Sequence, residues 1–161
     1  MRIVAALVLA LAGCAGPAPE RHQSAAAAFA PLMGCWRGAF ADAPGIVDER
    51  CFEPLGEHVV DIHHVRPTSY GGETTYHYDE AADEIVWAYA ANDGGRSNGS
   101  IRREGERFIV AAHTHYGASG ESYRLRSVWT IQTRDRFVME TEREQAGLWS
   151  PFARISFERA E

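Results

Sequence analysis

Pro31-Leu32-Met33-Gly34-Cys35-Trp36-Arg37-Gly38 is where the folded part of this chain begins, and the rest is measured from it. Gly34 lets the backbone turn tightly, and Trp36, with roughly 150 to 250 Å² to bury, can close one end of whatever follows. Upstream, Ser24 is an acceptable N-cap and Ala25 to Met33 is helix-prone, with Phe29, Leu32 and Met33 on one side and Pro31 as an interruption. A short helical turn that plugs one end of the fold is expected.

From Cys35 onward the helical period gives way to alternation. Strand-like runs cover Cys35 to Phe40, Val47 to Glu53, His58 to Arg66, Thr74 to Tyr78, Glu84 to Ala91, Ser97 to Arg103, Arg107 to Tyr116, Tyr123 to Gln132, Phe137 to Glu144 and Phe152 to Phe157. Between them stand turn-forming groups such as Pro44-Gly45, Gly71-Gly72, Asn92-Asp93-Gly94-Gly95, Glu104-Gly105 and Ala146-Gly147. Short strands joined by hairpin-length links make an antiparallel up-and-down meander, and closing it into a barrel removes its edges. The expected fold is all-β, an antiparallel barrel of about ten strands with a short N-terminal helix, over residues 28 to 161.

The 161 residues, 45% hydrophobic and 24% charged, suit a single globular domain. Without Arg2 the chain carries 15 basic against 22 acidic side chains, and every basic residue is an arginine standing alone or in a pair. Phosphate binding needs a basic face, so a nucleic-acid partner is not expected.

Residues 1 to 13 read as a signal peptide: Met1-Arg2 supplies the positive start, and the ten residues Ile3 to Ala12 are too short to span a bilayer as a helix. Leu11-Ala12-Gly13-Cys14 resembles the lipobox of bacterial lipoproteins. That resemblance implies diacylglyceryl transfer to Cys14, cleavage before it and a further acyl chain on its amine, hence a lipid-bilayer partner. Two or more chains hold stably where one does not. The expected location is the bacterial cell envelope, at the outer membrane facing the periplasm in a diderm host, because Ala15 stands where a retention signal would place Asp. Residues 14 to 27, with Pro17 and Pro19 in Ala15 to Gln23, read as the lipidated Cys and an extended tether.

A helical turn followed by Gly34-Cys35-Trp36 at the first strand resembles the opening of lipocalins and the wider calycin group, and the full run from Pro31 to Gly38 is similar to nitrobindin-type bacterial domains. The resemblance implies an arginine of the last strand over Trp36, Arg154 or Arg159, with Arg154 assigned alongside Gly34 and Trp36 as the barrel-closing set. Nitrobindin-type barrels bind haem through one axial His, for which His113 or His115 would serve. No segment beyond Gly38 matches their pattern, so no cofactor is assigned.

Three kinds of side chain carry possible chemistry. Cys35 and Cys51, sixteen positions apart on the first two strands, make an even pair once Cys14 is acylated, and folding the hairpin brings them nearly opposite for a disulfide. His113 and His115 share one strand face, as do Asp61 and His63, and His77 can face His63 across Gly71-Gly72; together they could hold a transition metal, or stand on the outer surface. Trp87 with Tyr89, and Tyr123 with Trp129, either fill the core or line a cavity for a small apolar or amphipathic ligand, with Arg126, Arg124 or Arg66 meeting an acid headgroup. Glu140, Glu142 and Glu144 alternate on one face as a solvated strand does, and no residue is singled out as catalytic. The expected function is ligand binding inside a lipid-anchored barrel, with a cavity of roughly 300 Å³ or more. The alternative is a partner-binding or structural lipoprotein with a filled barrel.

Overall fold

The computed structural model describes residues 24–160; residues 1 to 23, with the signal peptide, Cys14 and most of the tether, lie outside them. Ser24 caps the first helix, its Oγ accepting from Ala27 N at 3.1 Å. Helix α1 (Ala25–Phe29) runs into a 3-10 turn, Ala30–Leu32, where Pro31 ends the α geometry. The folded chain thus starts ahead of residue 28, and Ala25 is fully buried.

Ten strands follow: β1 (Gly34–Phe40), β2 (Val47–Leu55), β3 (His58–Arg66), β4 (Gly71–Asp79), β5 (Glu84–Ala91), β6 (Arg96–Glu104), β7 (Arg107–Tyr116), β8 (Ser122–Thr133), β9 (Arg136–Gln145) and β10 (Leu148–Arg159). Each pairs antiparallel with the next, and β10 returns to pair with β1, giving the closed up-and-down barrel that the alternation predicts. One turn differs. Gly71 and Gly72 open β4 instead of bending the chain, because a side chain at Gly71 would meet the His63 carbonyl and one at Gly72 the Tyr89 ring, both at 2.5 Å.

Helix α1 seals one end. Phe29, fully buried, inserts among Tyr76, Phe108 and Phe52 at ring separations of 4.5, 5.0 and 5.9 Å. Trp36 donates from its indole to Leu32 O at 2.7 Å and meets Phe137 edge-on. Gly34 takes φ +98°, the turn a side chain would strain.

The arginine over Trp36 is Arg159, with its guanidinium carbon 4.2 Å from the ring. Its nitrogens also donate to Met33 O at 2.7 Å, Arg134 O at 3.0 Å and Asp135 Oδ1 at 3.1 Å. Arg154 is not the barrel-closing residue: it sits at odd separation from the inward Phe157, so it points outward and pairs with Glu140 at 2.6 Å.

Cys35 and Cys51 stand directly opposite in the β1–β2 register and are disulfide-bonded across the outer face. By the chain-entropy model, a bridge with this sequence separation of 16 contributes about 3 kcal/mol.

The two arginines separate cleanly by mutation. Arg159→Ala should lose about 2 to 3 kcal/mol in chemical denaturation, since the cation–π contact, the bonds to the Met33 and Arg134 carbonyls and the Asp135 pair go together. Arg154→Ala should stay within about 0.5 kcal/mol of wild type. Equal losses would refute the assignment.

Candidate ligand site in the barrel lumen

At the end away from α1 the barrel is not filled. A cavity of about 260 Å³ opens there, between the β3–β4, β5–β6 and β7–β8 turns. It is smaller than the roughly 300 Å³ at which ligand sites usually begin, and the barrel is not solid either. Its inner part is apolar, with Ile101, Val110, Leu125, Met139 and Ile155 beside Trp87 and Trp129. Its outer part is polar.

One wall is a buried charge cluster built by β2 and β3. Alternation sends Asp48, Arg50 and Phe52 of β2, and Asp61 and His63 of β3, to the inside, and the register sets Arg50 opposite His63 and Phe52 opposite Asp61. Arg50 donates to Asp48 Oδ2 at 3.3 Å and forms an ion pair with Asp61 Oδ2 at 3.2 Å. Its guanidinium lies 5.6 to 5.9 Å from the rings of Phe52, Trp129 and Phe157. Burial opposes the charge on Arg50, yet Asp61 and Asp48 outweigh it and hold the guanidinium protonated. The arginine in this wall is Arg50, not one of the expected Arg126, Arg124 or Arg66. The signal available was the period-2 spacing of Asp48, Arg50 and Phe52.

From this cluster a hydrogen-bonded chain runs to the rim. Asp48 Oδ1 is 3.3 Å from His63 Nδ1, His63 Nε2 is 3.1 Å from the Tyr89 hydroxyl, and Tyr89 is 2.8 Å from the Tyr70 hydroxyl. Burial raises the pKa of both phenols, so they remain neutral hydroxyls. On the opposite wall Ser97 Oγ meets His115 Nδ1 at 2.8 Å, and Ser127 meets Thr141 at 2.9 Å. Burial keeps His113 and His115 below the ordinary histidine value.

The expected residues divide between lumen and surface. Trp87, Tyr89, Trp129, His63, His113 and His115 line the cavity. Tyr123 stands behind His115 at 5.0 Å, with Arg143 over its other side at 4.5 Å. His77 does not face His63: it is on the outer surface against His58, because His63 pairs with Gly72 and His77 with Val86. Among the described residues no group of three or more His, Cys, Asp or Glu is placed to hold a metal ion. Arg126 is outside too, paired with Glu142 at 2.6 Å, as are Arg124 with Glu144 and Arg66 with Glu49. Arg50 is matched by Asp48 and Asp61, whereas Arg143, with the strand parity of Met139 and Thr141, lies over the rings of Tyr123 and Phe152 with no carboxylate partner among the described residues. Haem does not fit these residues, since a cavity of about 260 Å³ cannot enclose a macrocycle larger than most drug-sized ligands.

A scan of protein-family models finds no match to the chain, and no curated protein matches it.

Asp48 and Asp61 titrate in opposite senses. Burial works against ionisation at both. At Asp48, Arg50 and the His63 hydrogen bond outweigh it and hold the carboxyl below its ordinary 3.8. At Asp61, burial outweighs Arg50 and the carboxyl lies above 3.8. The contribution of Asp48 is thus complete above its ordinary value and is lost as the pH falls toward its depressed folded one. Asp61 has the reverse sign: between 3.8 and its raised folded value, stability falls as pH rises. Denaturant midpoints of wild type minus Asp61→Asn, measured at a series of pH values from 3.8 upward, should decline through that window; a flat difference would contradict it. Asp48→Asn at pH 7 should cost about 2 to 4 kcal/mol, since it strips Arg50 of one partner.

Proposed function

We propose that this is a lipid-anchored envelope protein whose barrel binds one small amphipathic ligand. The observation that carries the reading is the lumen itself: about 260 Å³, apolar and aromatic within, hydroxyls and imidazoles toward the mouth. A cavity with a dry floor and a few placed polar groups suits a ligand with one polar end. The closed ten-strand meander, the plugging helix and Arg159 over Trp36 support a calycin-like, nitrobindin-like family for the domain. We assign it no enzymatic activity.

Anchoring rests on the lipobox at Leu11 to Cys14. The described chain starts at Ser24 on the sealed end of the barrel, so the tether would join the domain at the end away from the cavity.

Two measurements test these parts separately. Native mass spectrometry of the full chain, extracted from its membrane, should show a non-covalent adduct of no more than a few hundred daltons that disappears on denaturation; an apo mass alone would move the weight to the partner-binding alternative. In fractionation, wild type should sediment with membranes and Cys14→Ser should be released. Identical behaviour of the two would overturn acylation at Cys14.

A further inference from the structure

Past Val110, strand β7 carries one residue more than the stretches of β6 and β8 that pair with it. Val110 lies opposite Ile101 of β6 and Ser127 of β8, whereas His115 lies opposite Ser97 and His113 opposite Leu125, so the extra residue falls at Ala111–Ala112. Such a bulge reverses the phase of a strand. Phe108 and Val110 face inward before it, and regular alternation would send Ala112 and Thr114 after them. Instead Ala112 is exposed, and His113 and His115 enter the lumen.

The bulge also fixes the tautomer of one of them. His113 Nδ1 lies 3.0 Å from Ala111 O. A carbonyl can only accept, so Nδ1 carries the ring proton. Burial, with a smaller contribution from His115, disfavours a second proton against the favourable Ala111 bond. Nε2 is therefore a lone pair. No hydrogen bond reaches it among the described residues, and it is not among the orphaned atoms sealed from solvent, unlike the indole nitrogens of Trp87 and Trp129.

Glycine at position 99 leaves space for the two side chains that meet here. Trp87 stands edge-on to His113 at 4.7 Å, opposite Gly99 in the β5–β6 register. A Cβ at Gly99 would come within 3.0 Å of the Trp87 ring and 3.3 Å of His113 Cβ, so only glycine leaves both rings in place.

We propose that the β7 bulge builds a hydrogen-bond acceptor into the lumen, and that the ligand is a small ring compound donating an O–H or N–H to His113 Nε2. This rests on the lumen being a ligand site. The ring follows from the aromatic walls, Trp87, Tyr89 and Trp129.

Phenol and toluene have nearly the same shape and differ in the donor, which makes them suitable probes. The full chain in lipid nanodiscs is titrated with each as wild type, His113→Leu and His113→Gln, following histidine ring ¹⁵N resonances and tryptophan fluorescence. Comparing variants within one ligand cancels its partition into lipid. Phenol should shift the His113 Nε2 resonance of wild type where toluene does not, its affinity should fall about tenfold in His113→Leu, and His113→Gln, which keeps an acceptor oxygen, should restore most of it. Toluene affinity should be equal in all three. If phenol binds all three alike, His113 is not the acceptor while the cavity stands. If both ligands are lost together in His113→Leu, the residue is structural and the inference fails. If neither binds wild type, the ligand class and the binding reading fall together.

Discussion

A ten-strand meander has two edges, and this fold depends on β1 and β10 finding each other. The pairing is five residues long, from Trp36 opposite Arg159 to Phe40 opposite Ile155, the shortest ladder of the barrel. Arg159 reinforces it from the last strand by covering Trp36 and gathering the carbonyls of Met33, Pro31 and Arg134. A planar, fixed fork suits several acceptors at once in a way an ammonium does not. The same seam packs Gly38 against Phe157, where any side chain on Gly38 would come within 2.5 Å of the ring. Closure, helix plug and disulfide all meet on β1 and its neighbours, which leaves the far end free to stay open.

Much of this was legible in the chain. Period-2 alternation and Gly- or Asn-containing turns placed all ten strands, and the eight residues from Pro31 to Gly38 marked the sealed end. Cys35 and Cys51 were placed opposite to within one residue, because a hairpin loop and its strands fix the register locally. Parity would also have separated Arg159 from Arg154, since only the former shares the face of Phe157. What escaped were features set by the neighbour across the strand. Gly71-Gly72 has turn composition but serves as a strand surface that two approaching groups leave bare. The β7 bulge lies at Ala111-Ala112, which carries no glycine to announce it, so the phase of Phe108 and Val110 gave no warning that His113 and His115 would share their face.

Arg50 was illegible for a different reason. A single arginine in a strand that also carries Asp48, Glu49 and Glu53 reads as a solvated position, and only the pairing with β3 brings Asp61 and His63 to it. Arg126, expected at the ligand, has the outward parity of its strand and a cross-strand partner in Glu142. Surface pairs of this kind are worth little, and interior ones demand partners. The two arginines look alike in sequence and differ entirely in what the fold asks of them.

The buried cluster argues against a lumen that exists only to be filled. An Asp48–Arg50–Asp61 group taken out of water recovers little stability, and apolar side chains of the same volume hold a core as well or better. The sealed end of this barrel is built that way, from Phe29, Phe52, Phe108 and Phe137. Charge starts beside that layer, with Asp61 opposite Phe52, and reaches the cavity through Arg50 and Asp48. There Asp48 orients His63, His63 engages Tyr89, and Tyr89 engages Tyr70 at the rim. A chain of groups that fixes each other's direction is of use to something entering past it, and the geometry places that chain on the wall facing His113.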